Sequence, residues 1–201
     1  MVVMSSRPNN ISDADSLIRD LERLRGVACA ACRGLLCHHQ VLMAIAMGFR
    51  NAPRCLPCLG AALSREPAGL RDSLFDYIRQ RQCYAEAWNW ANRAAGLPQG
   101  VMPPALQSLG VSDAGRAPAG AALQTWPTVL RTDAEWNAGD MACGELVLEL
   151  RLRLEAMSPG QIFKLCARDA GAPEDLPAWC RLTGHRLLRA EPPTYWIQRK
   201  K

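Results

Sequence analysis

Between Leu97 and Pro127 the chain carries Pro98, Pro103, Pro104, Pro118 and Pro127, interleaved with Gly100, Gly110, Gly115 and Gly120. Proline fixes φ and donates no backbone hydrogen bond, and glycine adds unfolded-state freedom, so neither a long helix nor a central strand is expected here. The stretch also has few charges and no sustained apolar period. It reads as a linker over residues 97–130, longer than an ordinary internal loop. Any packed core must therefore form on its two sides, over residues 1–96 and 131–201. With 201 residues, 49% of them hydrophobic, the chain has enough apolar material for both.

The first side has a helical period throughout. Ser12-Asp-Ala-Asp15 resembles a capping box, Leu17, Leu21 and Leu24 follow at helical spacing, and Gly26 can close the helix. A second helix is expected over Leu36 to Phe49, ended by Asn51-Ala-Pro53. A short one follows over Leu56 to Leu63. Pro67 opens a longer stretch with Leu70, Leu74 and Ile78 on one face. Glu86 to Ala95 carries Trp88 and Trp90 and stops at Gly96-Leu-Pro98. The expectation is an all-helical, cysteine-rich amino-terminal domain.

The second side alternates. Thr132 to Ala138 reads as a strand. Leu148-Glu-Leu-Arg-Leu-Arg-Leu-Glu155 alternates like a strand, but Leu, Glu and Arg favour helix and no β-branched residue lies between Leu148 and Met157. Leu146, Val147, Leu150, Leu154 and Met157 also share one helical stripe, so a helix is expected. Gln161 to Arg168 reads as a strand, Glu174 to Leu182 as a helix closed by Gly184, and His185 to Arg189 and Thr194 to Arg199 as two final strands. The whole is then α+β, a helical domain followed by a βαβαββ two-layer sandwich.

Nine cysteines punctuate the chain. Residues Met1 to Asn10 lack the apolar stretch of a secretory signal, and no apolar run reaches the roughly 18 residues of a membrane span. A cytoplasmic protein with reduced thiols is expected. Cys143 ends Trp136-Asn-Ala-Gly-Asp-Met-Ala-Cys143, directly before the leucine-rich helix. A thiol there faces unpaired backbone N–H groups and the positive end of the helix dipole, which favour the thiolate nucleophile. Cys29-Ala-Ala-Cys32 and Cys55-Leu-Pro-Cys58 form a CxxC…CxxC pair. Four thiolates at that spacing suit a tetrahedral zinc ion or an iron–sulfur cluster. The same residues suit a redox dithiol or sulfur relay, or plain core cysteines. Cys37, His38 and His39 are close enough in sequence to assist, although adjacent histidines point roughly 100° apart on a helix.

The βαβαββ order, the cysteine between first strand and first helix, and the string Asp175-Leu-Pro-Ala-Trp-Cys180-Arg-Leu-Thr-Gly-His185 resemble the TusA/SirA sulfurtransferase family. The resemblance runs from about Trp136 to Lys201. Members carry sulfur as a persulfide on the cysteine of a Cys-Pro-x-Pro motif and relay it between proteins, for tRNA thiolation, molybdenum-cofactor work or sulfur oxidation. The resemblance places that cysteine at Cys143, with Asn137-Ala138 matching an Asp-Ala before the motif and Met141 its usual leucine. Gly144 and Leu146 stand where the family has its two prolines. Glycine keeps the N–H free and holds the turn more loosely.

The resemblance implies protein sulfur donors and acceptors as partners and no dissociable organic cofactor. The net charge of +5 is mildly biased to the first part of the chain and forms no basic patch, and no Lys/Arg cluster is interleaved with aromatics. Direct nucleic-acid binding has no support in the sequence.

Overall fold

The computed structural model describes residues 13–107, 131–141 and 143–200. Ser12 of the expected capping box, residues 108–130 and the first residues of the chain lie outside them. The described chain runs α1 (Asp13–Arg23), α2 (His38–Ala46), α3 (Leu56–Leu63), α4 (Pro67–Arg79), α5 (Gln82–Ala94), α6 (Pro104–Gln107), β1 (Ala134–Gly139), α7 (Cys143–Ala156), β2 (Ile162–Ala167), α8 (Ala172–Thr183), β3 (Arg186–Glu191) and β4 (Thr194–Gln198).

Helix α2 explains the amino-terminal half. Val41, Leu42, Met43, Ala44, Ile45 and Ala46 are all buried, along with Met47 beyond the helix end. A helix apolar on every side must be covered on every side. Helices α1, α3, α4 and α5 pack around it, and α7 closes the remaining face. Gly48 then stops it with a left-handed φ of 83°. The expected helix over Leu36 to Phe49 is thus shorter at both ends, because Cys37 adopts an extended cap and Gly48 turns the chain.

The carboxy-terminal half is a four-stranded sheet in the order β1-β2-β4-β3. β1 and β2 are parallel, with α7 crossing between them, and β4 is antiparallel to both β2 and β3. Phe163, Leu165 and Ala167 of β2, and Tyr195 and Ile197 of β4, are buried on the inner face. The intervening residues, including Cys166, lie half-buried on the other face. The period of two therefore puts Cys166 on the face away from that core.

The alternating leucines around residue 150 do form a helix. Leu146, Val147, Leu150 and Leu154 are buried, and so is Leu148, while Leu152 is exposed. Apolar residues go so far around α7 because it lies between the sheet and the amino-terminal helices. One hydrophobic cluster runs from Leu17 and Ile45 through Val147 and Leu150 to Leu165 and Tyr195. Polar staples cross the same seam. Arg151 Nε donates to the Gly48 carbonyl at 2.7 Å, and Arg65 Nη1 to the Arg181 carbonyl at 3.1 Å. Arg81 reaches across to Asp175 and to the Glu174 carbonyl.

The first part of the proline- and glycine-rich stretch, residues 97–107, lies on the helical half. Asn92 Nδ2 donates to the carbonyls of Pro98 and Val101, Trp88 Nε1 donates to Val101, and Arg71 donates to Leu106. These donors satisfy carbonyls that a proline-rich chain cannot pair in regular structure.

Candidate functional site

Two places gather the chemistry that the sequence singles out. The first is the corner between β1 and α7. Gly139 ends β1 at φ 58°, its N–H held by Asn137 Oδ1 at 3.0 Å and its carbonyl by the Arg168 N–H at 2.8 Å. Met141 N–H then closes a turn on the Ala138 carbonyl, and Cys143 opens α7. The Cys143 side chain lies outside the described part of the structure. Its backbone position leaves it at the N-terminal end of a 14-residue helix, where the N–H groups of the first turn have no helical partner.

The α7 start faces the helical half. A Cβ on Gly144 would lie 3.5 Å from Leu17 Cδ2 and 3.9 Å from Ile45 Cγ2, ordinary packing distances. Steric room therefore does not require glycine at 144. A cleft of about 500 Å³ opens beside the corner, lined by Trp136, Met141, Glu145 and Leu148 from one half and by Asp20 and Arg50 from the other. Arg50 and Arg23 both pair with the buried Asp20, at 2.5 and 3.0 Å. Arg153 stacks 4.4 Å above the Trp136 ring.

The second place is the thiol cluster. Ala28 and Leu35 form an antiparallel bridge, and the chain between them folds into a knuckle. Within it the Cys29 N–H donates to the Gly34 carbonyl at 2.8 Å, and the Arg33 N–H to the Cys29 carbonyl at 3.0 Å. Arg33 takes a left-handed φ of 66° to close the turn. The second pair comes from α3, where Cys55 is the N-cap and proline lies in the first turn. The Ala30 N–H donates to the Pro53 carbonyl at 2.9 Å and ties the knuckle to the segment leading into α3.

The sulfurs of Cys29, Cys32, Cys55 and Cys58 then lie within 4.8 Å of one another, close enough to share a metal ion. Cys32 Sγ is 3.6 Å from Cys55 Sγ, and the Cys55 N–H donates to Cys29 Sγ at 3.3 Å. Burial opposes ionisation of Cys29, but the backbone N–H groups of Cys32, Cys55 and Ala31 outweigh it and bring the thiol down to about 6. Burial, with the neighbouring thiols, pushes Cys55 up to about 12.

The other candidates fall away from both places. His39 is buried against Trp88, and its Nε2 pairs with Asn92 Oδ1 at 2.8 Å. His38 packs edge-on against Trp90. Both histidines thus face α5 rather than the cysteines. Cys180 is buried beside Trp179, and burial pushes its thiol up to about 12, so it is a packed residue with little thiolate.

His185 stacks 5.5 Å from the Trp179 ring, and its Nδ1 accepts from the Lys200 N–H at 3.2 Å. Burial, then the positive charges of Lys200 and Arg199, lower it from 6.5 to about 4. Below about 6.5 the unfolded chain takes up a proton that the folded chain refuses. The stability that neutral His185 contributes is complete above that pH and is lost as pH falls toward about 4. Allowing for its partial exposure, about 1–2 kcal/mol should disappear across that window. Urea melts at pH 7 and pH 4.5 should differ by that amount more in the wild type than in His185→Gln.

Sequence reasoning missed the seam arginines. Arg81 and Asp175 are 94 residues apart and carry no motif, so nothing in their local sequence marks them as partners.

Comparison with known proteins agrees with the geometry of the carboxy-terminal half. The family profile described as Sulfurtransferase TusA matches residues 134–199. The sulfur carrier protein TusA of Pseudomonas syringae pv. syringae (strain B728a) is 35% identical over 75 residues, covering 35% of this chain and 89% of that protein. Its counterpart in Pseudomonas paraeruginosa (strain DSM 24068 / PA7) is 31% identical over 72 residues, covering 34% of this chain and 91% of the relative. That of Pseudomonas putida (strain GB-1) is 31% identical over 72 residues, with 34% and 90% covered.

Proposed function

Because the chain belongs to the TusA sulfurtransferase family through its carboxy-terminal third, we propose that it carries sulfur on Cys143 between protein partners. The observation that carries this reading is the placement of Cys143 as the first residue of α7, straight after β1. A thiolate there is favoured by the helix start. It attacks the terminal sulfur of a donor persulfide, forming the new S–S bond as the donor's S–S bond breaks. The donor leaves as a thiolate, and the terminal sulfur stays on Cys143 as its persulfide. A thiolate of the next protein attacks that sulfur in the same way and returns Cys143 to the thiolate. Neither step has a net oxidation, so no redox cofactor is needed.

We place this exchange in the cytoplasm, where thiols stay reduced. Among the described residues no helix is long and apolar enough to cross a membrane. The open cleft lined by Met141 and Glu145 gives a partner access to the corner. Release of donor thiol from a small persulfide should be stimulated by the wild-type chain and fall to the uncatalysed rate with Cys143→Ala. Equal release by both proteins would contradict the reading.

A second reading is favoured by the convergence of four sulfurs in the helical half. In it Cys29, Cys32, Cys55 and Cys58 bind zinc or an iron–sulfur cluster, and the carboxy-terminal half only docks partners.

A further inference from the structure

Residues 30–35 of the knuckle are all exposed, and only Cys29 and Leu36 at its ends are buried. It has a single bridged pair, Ala28 with Leu35, and Leu35 is 80% exposed. A two-stranded ribbon of this kind has no apolar core of its own and is marginal in water. Small elements without a core are held by a disulfide or a metal. The described cysteines form no disulfide, and four of their sulfurs meet where the knuckle touches α3.

We propose that Cys29, Cys32, Cys55 and Cys58 hold one zinc ion as a closed tetrathiolate whose role is to clamp the knuckle onto the start of α3. The inference rests on the metal-binding reading of the cluster and is independent of sulfur carriage at Cys143. Four observations favour a single ion. Four sulfurs about 2.3 Å from one tetrahedral centre stand about 3.8 Å apart, and Cys32 and Cys55 are already at 3.6 Å. An iron–sulfur core, with several metal atoms between its ligands, would hold the four sulfurs further apart than the observed 4.8 Å limit. The ligands also come as one pair from a tight turn and one pair from a helix start. Backbone N–H groups aim at the sulfurs, as with the Cys55 N–H on Cys29, and offset the charge of four thiolates on a dication.

All four positions of the ion are filled by protein, so no site is left for a water or a substrate. The clamp is therefore structural and lies outside the path of the sulfur. Binding releases the protons of those thiols still protonated, and no electron is transferred.

Full-length protein purified without added metal should contain one zinc per chain by elemental analysis, and be colourless. Cobalt(II) exchanged into it should give the intense visible bands of a tetrahedral ion and thiolate-to-cobalt charge transfer. Cys32→Ser and Cys58→Ser should each lose the metal to a chelator that leaves the wild type loaded. Cys143→Ala and Cys180→Ala should keep it. In the wild type, metal removal should also abolish hydrogen-exchange protection at the Cys29 and Arg33 amides, a readout that needs no variant. Absence of any metal would overturn both the clamp and the metal-binding reading. Iron with acid-labile sulfide would overturn the clamp alone. Zinc retained equally by Cys32→Ser and Cys58→Ser would likewise overturn it. None of these results touches the Cys143 reading, which is scored by sulfur release.

Discussion

Replacing Arg81 by alanine is expected to destabilise the chain by about 3–5 kcal/mol, the usual cost of leaving one member of a buried ion pair behind. Arg81 and Asp175 side chains are only 10% and 9% exposed. The guanidinium contacts Asp175, donates to the Tyr77 carbonyl at 2.9 Å and the Glu174 carbonyl at 3.3 Å, and lies 3.6 Å above the Tyr77 ring. Alanine removes all of these together and takes from the buried Asp175 carboxylate its guanidinium partner at the seam. Arg81→Lys should recover only part of the loss, because an ammonium cannot match the planar fork. Asp175→Ala should cost less than Arg81→Ala, since the guanidinium keeps its two carbonyl acceptors. Urea denaturation of the single and double variants measures the coupling. A loss below about 1 kcal/mol for Arg81→Ala would mean that the pair behaves as a solvated surface bridge.

The second large effect is expected at Gly48. Its φ of 83° favours glycine, and a Cβ built there would come within 2.7 Å of the Val147 carbonyl oxygen and 3.2 Å of Arg151 Cβ. Left-handed strain and overpacking against a helix backbone together predict a loss of about 2–5 kcal/mol for Gly48→Ala. The Gly48 carbonyl in turn accepts from Arg151 Nε of α7. The variant should thus loosen the seam as well as the turn. Gly26 supplies the control, with φ 71° and nothing within 4 Å of a Cβ. Gly26→Ala should carry the strain alone and cost about 1–3 kcal/mol. Equal losses at the two positions would show that close approach to α7 contributes nothing.

Both predictions concern the seam, the part of the structure that was least legible in the sequence. Local pattern sufficed for the elements. The leucine stripe of α7, the all-apolar run of α2 and the alternation of β2 each specify their own period. Local spacing also sufficed for the thiols, since each CxxC pair brings its own two sulfurs together. The convergence of the two pairs, with the Ala30 to Pro53 hydrogen bond beside it, is a tertiary contact that no spacing rule contains. The same holds for Arg81 with Asp175 and for Arg151 with Gly48. One-sided patterns say which face is buried but not what covers it. On α7, Leu148 is buried outside the stripe that the sequence marks, while Leu152 stays exposed. Residues 97–103 were legible as irregular chain, but the short α6 after them and the carbonyls that Asn92 and Trp88 capture have no sequence signature.

The seam also bears on the sulfur-carrier reading. Gly144 stands beside Leu17 and Ile45, so the start of α7 is flanked on one side by the chain's own helices. On the other side the cleft lined by Met141 and Glu145 is open beside the start of α7.

The most direct test of sulfur carriage is peptide-resolved mass spectrometry of the full chain after exposure to a persulfide donor. The account predicts one added sulfur atom on the peptide containing Cys143, removed by a second thiol and absent in Cys143→Ala. An unmodified Cys143 peptide, under conditions that load the sulfur carrier protein TusA of Pseudomonas syringae, would contradict it.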